Sequence, residues 1–120
     1  NFGHTVGHAF ESLAMKQNRP ILHGYAVAYA MIAELFLSVN RCGFPQTDCD
    51  ELTKWMLDIY GKFEIEESDF EALYQLMTHD KKNESGRINF TLLPKVGEIA
   101  INQNCSKELI LEALKYYKSL

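Results

Sequence analysis

Three of the chain's four histidines, His4, His8 and His23, lie within its first 23 positions. His4 and His8 are four residues apart, so a helix beginning near Gly3 stacks them on one face. His23 opens a second apolar run after a turn containing Pro20. Two helices joined there bring three imidazoles to one point, which is how a chain builds a zinc site or an acid/base site. His4 and His23 form the natural metal pair, because each starts a helix beside a glycine, Gly3 or Gly24, where close approach is sterically cheap. His8, one turn further in, serves either as a third ligand or as a free proton carrier. Glu11 shares the face of His4 and His8, where a carboxylate can orient an imidazole from behind. Two chemistries stay open on the residues alone: a hydrolytic zinc site, and a zinc site that holds a polyol or sugar. The His4-x-x-x-His8 spacing lacks the glutamate of H-E-x-x-H, since residue 5 is threonine, and this disfavours a metalloprotease. The non-enzymatic alternative is a helical interaction module with structural histidines, where His4→Ala acts as a core mutation.

The elements that must position these groups follow from apolar periodicity. Residues 4–15 read as a helix with Val6, Ala9, Phe10, Leu13 and Ala14 inward, followed by a polar turn over 16–20. Residues 23–41 read as the longest helix, apolar on most sides and therefore central to a bundle, stopped by Gly43 and Pro45. A third helix, capped by Thr47 or Asp48, runs to Tyr60 with Leu52, Trp55, Met56 and Ile59 inward, and Gly61 ends it. Ser68 and Glu71 fit a capping box for a fourth helix over 68–79, with His79 near its end. A polar loop over 80–86 leads into a β-hairpin of 88–93 and 98–102, joined through Pro94 and Gly97. Ser106 starts a last helix to about Lys118. The expectation is a mainly α domain, a helical bundle with one small β-hairpin, spanning residues 1–120.

Composition narrows the partners. With 120 residues, 47% hydrophobic, the chain is one domain by length with material for a core. A net charge of −4 argues against nucleic-acid and membrane-surface partners, which require a basic face. The run 26–39 is the nearest approach to a membrane span, and Glu34 and Ser38 interrupt it. The amino end carries His and Glu where a signal peptide needs a basic and then an apolar region. Three cysteines, Cys42, Cys49 and Cys105, with no C-x-x-C pair, read as reduced thiols of a cytoplasmic protein. The histidine pattern begins at residue 1 without a lead-in, so the chain is expected to be part of something larger.

The segments Asn1-Phe-Gly-His-Thr-Val-Gly-His-Ala-Phe-Glu11, Leu22-His-Gly-Tyr-Ala-Val-Ala28 and Asp80-Lys-Lys82 stand in an order and spacing that resembles the carboxy-terminal domain of 3-dehydroquinate synthase. The resemblance runs over all 120 residues. It implies the dehydroquinate synthase-like fold and an enzyme whose NAD-binding domain lies upstream. It also implies a lyase of the shikimate pathway of aromatic amino-acid biosynthesis. Such an enzyme converts 3-deoxy-D-arabino-heptulosonate 7-phosphate, a small sugar phosphate, to 3-dehydroquinate and phosphate. Carried over by position, His4 and His23 match zinc ligands, the metal being Zn or another divalent ion such as Co. The family's third ligand, a glutamate, falls upstream of Asn1. His8 matches the histidine of substrate binding and proton transfer, and Asn1 and Lys81 match substrate-binding residues, with Lys82 the neighbouring choice to Lys81. The resemblance further implies a homodimer at full length and no activity in the 120 residues alone. Many family members have glutamate where this chain has Tyr25, so a related sugar-phosphate cyclase or a metal-dependent polyol dehydrogenase stands as the alternative.

Overall fold

The computed structural model describes residues 2–81 and 87–120, with Asp80 and Lys81 described in their backbone only. Helix α1, His4–Lys16, buries Val6, Ala9, Phe10, Leu13 and Ala14, the stripe its periodicity predicts. It ends on Asn18, whose φ of 61° lies in the left-handed region. The N–H of Arg19 returns to the Ala14 carbonyl (2.9 Å) and that of Asn18 to Met15 (3.2 Å). This paired closure satisfies the last carbonyls and reverses the chain. Arg19 locks the reversal: its guanidinium donates to Gln17 Oε1 and to the Glu64 carbonyl, and lies 4.2 Å from the Phe63 ring centre. The tight reversal sends helix α2, His23–Cys42, back along α1 and returns His23 to the first turns of α1.

α2 is the central helix expected from its all-round apolar character. It packs on α1, on α3 (Gln46–Tyr60), on α5 (Lys107–Ser119) and on the first strand. Gly43, at φ 75°, closes it through an N–H bond to Ser38. α3 starts earlier than Thr47 or Asp48 predicts, because Pro45, with its fixed φ of −59°, takes the cap position and no side chain caps the helix. Asp48 then lies in the first turn, where its charge suits the helix dipole. α3 turns Cys49, Thr53 and Met56 inward. Trp55 and Ile59, expected on the buried stripe, are more than half exposed.

The fourth helix also differs at its start. A single 3-10 turn, Glu67–Asp69, precedes α4, Phe70–Lys81, and the reciprocal cap is formed by Glu66 and Asp69 rather than by Ser68 and Glu71. Glu71 instead reaches Lys107 on α5 at 2.8 Å. Strands β1 (Ile88–Lys95) and β2 (Glu98–Cys105) form the expected antiparallel hairpin, with Ile88 opposite Cys105 and Lys95 opposite Glu98. The hairpin is longer than predicted, and Pro94 lies inside β1 rather than in the connection. Ile88, Phe90 and Leu92 are buried and the intervening residues face outward, so one face of β1 joins the core. Ser106 caps α5 as expected, accepting the Leu109 N–H at 3.2 Å. Five helices and one two-stranded sheet among the described residues agree with a mainly α bundle carrying a small hairpin. No helix among them is long and apolar enough to cross a membrane.

Candidate metal and substrate site

His4 is the first residue of α1, His8 lies one turn on, and His23 is the first residue of α2. Their rings form a triangle, with centres 5.7 Å apart for His4–His8, 5.4 Å for His4–His23 and 5.7 Å for His8–His23. The reversal at Asn18 and Arg19 therefore gathers all three at the helix starts. A metal bound at about 2.0–2.1 Å sits roughly 3 Å from each ring centre, so two ligating rings stand roughly 5 Å apart. The His4–His23 separation fits that scale.

The two rings are also oriented for it. His4 Nδ1 lies 3.2 Å from the Phe2 carbonyl, and His23 Nδ1 lies 3.0 Å from Glu11 Oε1. Both oxygens accept, so in the neutral ring these contacts assign the proton to Nδ1 and leave Nε2 its lone pair. Nδ1–H held by a carbonyl or carboxylate, with Nε2 exposed, is the usual arrangement of a metal-binding imidazole. The pairing of Glu11 with His23 crosses from α1 to α2. Among the described residues no group of three His, Cys, Asp or Glu forms a metal cage by itself. The donor set here is therefore partial: two prepared imidazoles with His8 beside them.

Gly3 stands at φ 83°, and a Cβ there would come 2.8 Å from Met31 Cγ and 3.2 Å from the Val27 carbonyl. The close approach that a glycine permits here is thus between the start of α1 and the flank of α2. Gly24, by contrast, faces open space. A cleft of about 360 Å³ opens beside the triangle, lined by His4, Thr5, His8, Asn89, Phe90, Thr91, Ile101 and Asn102. Thr5 ties its inner edge together by donating to the Asn89 carbonyl at 3.4 Å. Polar hairpin residues face the histidines across this cleft. Sequence reading missed Asn89, Thr91 and Asn102, although Asn89 and Thr91 are the polar alternates of a strand whose other residues are apolar. It also missed the place of Glu34, which is fully buried beneath the first turn of α1. The signal was present: a carboxylate inside the most apolar helix.

The remaining predicted residues divide in two. Asn1 and Lys82 lie outside the described residues; Lys81 closes α4, and its side chain lies outside them as well. Tyr25, two residues beyond His23, is half exposed, and its ring meets those of Tyr60 (5.6 Å) and Tyr29 (6.2 Å) edge-on. His79 is exposed in the last turns of α4.

Residues 1–83 match the family described as 3-dehydroquinate synthase C-terminal. The chain is 52% identical over 118 residues to a 3-dehydroquinate synthase of Parabacteroides distasonis, covering 98% of this chain and 33% of that protein. It is 32% identical over 116 residues to that of Solibacter usitatus, covering 96% of this chain and 32% of that protein. Among solved structures, 2-deoxy-scyllo-inosose synthase, complexed with carbaglucose-6-phosphate, NAD+ and Co2+, superposes with a TM-score of 0.74. That match is 27% identical and covers 96% of this chain and 32% of that one. The chain thus spans about a third of the length of the relatives it matches.

Proposed function

Since this chain belongs to the 3-dehydroquinate synthase carboxy-terminal family, we propose that it is the metal- and substrate-binding domain of an enzyme that makes 3-dehydroquinate. The substrate on this reading is 3-deoxy-D-arabino-heptulosonate 7-phosphate, and phosphate is the leaving group. An upstream domain would hold NAD and supply the third metal ligand, so the 120 residues alone would be inactive. The observation that carries the reading is the triangle of His4, His8 and His23, with Nδ1 of His4 and His23 already engaged.

His4 and His23 would hold a divalent ion, Zn or Co, through Nε2. When bound, such an ion would supply a Lewis acid that makes a nearby substrate hydroxyl easier to deprotonate. NAD, held by the upstream domain, would supply a hydride acceptor. The chain's own residues do the rest. Glu11 keeps the His23 ring turned toward the site and stabilises charge developing on it. His8, 5.7 Å from either partner by ring centre, stands where it can take and return a proton at Nε2 or Nδ1 without being a ligand. The polar hairpin wall suits a polyhydroxylated substrate in the cleft. Asn1 would contact that substrate, and Lys81 would offer its phosphate a point charge. The free thiols of Cys42, Cys49 and Cys105 support a reducing, cytoplasmic setting.

A second reading has one observation in its favour. The structural relative, a 2-deoxy-scyllo-inosose synthase, is complexed with carbaglucose-6-phosphate, a different sugar-phosphate skeleton, on the same domain fold. One assay separates the two. The full-length enzyme is given the heptulosonate phosphate or glucose 6-phosphate, with and without NAD and a chelator. Phosphate release from the heptulosonate alone, dependent on NAD and metal and lost in His23→Ala, supports the synthase. Release from glucose 6-phosphate instead transfers the assignment to the other cyclase class.

A further inference from the structure

Glu34 is the one acidic side chain among the fully buried residues described, at 0% exposure in the middle of α2. Its two carboxylate oxygens are divided between two peptide groups of α1. Oε1 accepts the Gly3 N–H and Oε2 accepts the Val6 N–H, each at 2.9 Å. Those amides flank His4 on either side. They are among the four orphan N–H groups of a helix start, which no side chain from α1 itself satisfies. A carboxylate on α2 thus caps α1 across the helix interface, 31 residues away from Gly3.

We propose that Glu34 is a positioning residue for His4. The inference rests on His4 being a metal ligand, as proposed above. Three observations bear on it together. The two bonds hold the Phe2–Gly3 and Thr5–Val6 peptides, one peptide removed from His4 on each side, and so hold the first turn from which its side chain projects. The Gly3 backbone adopts φ 83° and lies against Met31 and Val27, so the first turn is wedged as well as bonded to α2. The His4 Nδ1 partner is the Phe2 carbonyl, which belongs to the same short entry into the helix. If that entry shifts, the ring loses both its anchor and its aim. Because His23 heads α2 itself, Glu34 also ties the two ligand-bearing helices to one frame.

The test uses the full-length enzyme and the affinity and visible absorption spectrum of Co2+ at the site. Wild type and His4→Ala establish that the site exists and uses His4. Glu34→Gln keeps the volume but presents an amide whose NH2 faces a peptide donor. It is expected to weaken Co2+ binding about tenfold to a hundredfold, the range usual for groups that orient a ligand, and to alter the Co2+ spectrum. Ser38→Ala is the control. Its hydroxyl accepts the Leu93 N–H and donates to the Glu34 carbonyl on the same helix, with no hydrogen bond to α1. It is expected to lower the melting temperature while leaving the spectrum and affinity intact. If Glu34→Gln does not fold, Glu34→Asp, which keeps the carboxyl group and shortens the reach, carries the same comparison. A folded Glu34 variant with unchanged Co2+ affinity and spectrum overturns the inference and leaves the metal site standing. Absence of Co2+ binding in wild type overturns both.

Discussion

Single bonds in this protein carry distinct duties, and two of them make separable predictions. The Glu11–His23 contact is half exposed, so as an ion pair it contributes little to stability. On the proposed function its part is to orient the His23 ring. Glu11→Ala should therefore leave the melting temperature within a degree or two of wild type and weaken divalent-metal binding about tenfold to a hundredfold. Equal losses of stability and affinity would argue against an orienting role. Tyr117 behaves in the opposite way. Its hydroxyl is buried, accepts the Phe63 N–H and donates to the Phe63 carbonyl, both at 2.9 Å. Burial raises its pKa above the ordinary 10.0. The folded state then holds the phenol proton over a pH range where the unfolded chain has lost it. The stabilisation is complete below pH 10 and is lost as pH rises from 10 through the folded value. Tyr117→Phe should cost about 2 kcal/mol at neutral pH, because two buried peptide groups lose their partner. Its deficit relative to wild type should shrink in denaturant titrations above pH 10. A deficit independent of pH would refute the assignment.

At the level of elements, legibility followed the local character of the signal. The stripes of α1 and α5, the stop at Gly43 and the cap at Ser106 were readable because each depends on residues within one or two turns. Trp55 and Ile59 were misread because α3 can turn either of two overlapping apolar stripes inward. The tertiary choice of Cys49, Thr53 and Met56 is not written in α3 itself. The start of α4 was misplaced because Glu66 and Asp69 compete with Ser68 and Glu71 for the same job, and Lys107, distant in sequence, draws Glu71 away. The histidines were legible as a group, whereas the Glu34 cap was not, since it bridges 31 positions. Gly3 is the sharpest element-scale prediction. Gly3→Ala puts a methyl 2.8 Å from Met31 Cγ and strains a positive φ by about 1–2 kcal/mol. It should lower stability and metal affinity together. Ser106→Ala, about 1 kcal/mol at a helix start far from the site, should lower stability alone.

For the molecule as a whole, the family was legible because its motifs sit in two helix starts and one helix end, all within this chain. A complete donor set for the proposed metal was not, because the described residues offer two oriented imidazoles and a third ring. A consequence can be measured on the 120 residues alone. A ligand at a hundred times its Kd adds about 2.7 kcal/mol to folding stability. For a chain of this size that corresponds to a melting shift on the order of 10 °C. If the third donor comes from elsewhere in a longer enzyme, micromolar free zinc should move the melting temperature of this chain by no more than about 2 °C. The full-length enzyme should show a shift several times larger, abolished by a chelator. Because bound imidazoles must be deprotonated, the full-length shift should also diminish as pH falls. A shift near 10 °C in the short chain, lost in His4→Ala and His8→Ala alike, would instead make His8 the third ligand. His8 would then be unavailable to move protons, and the proposed division of labour among the three rings would have to be redrawn.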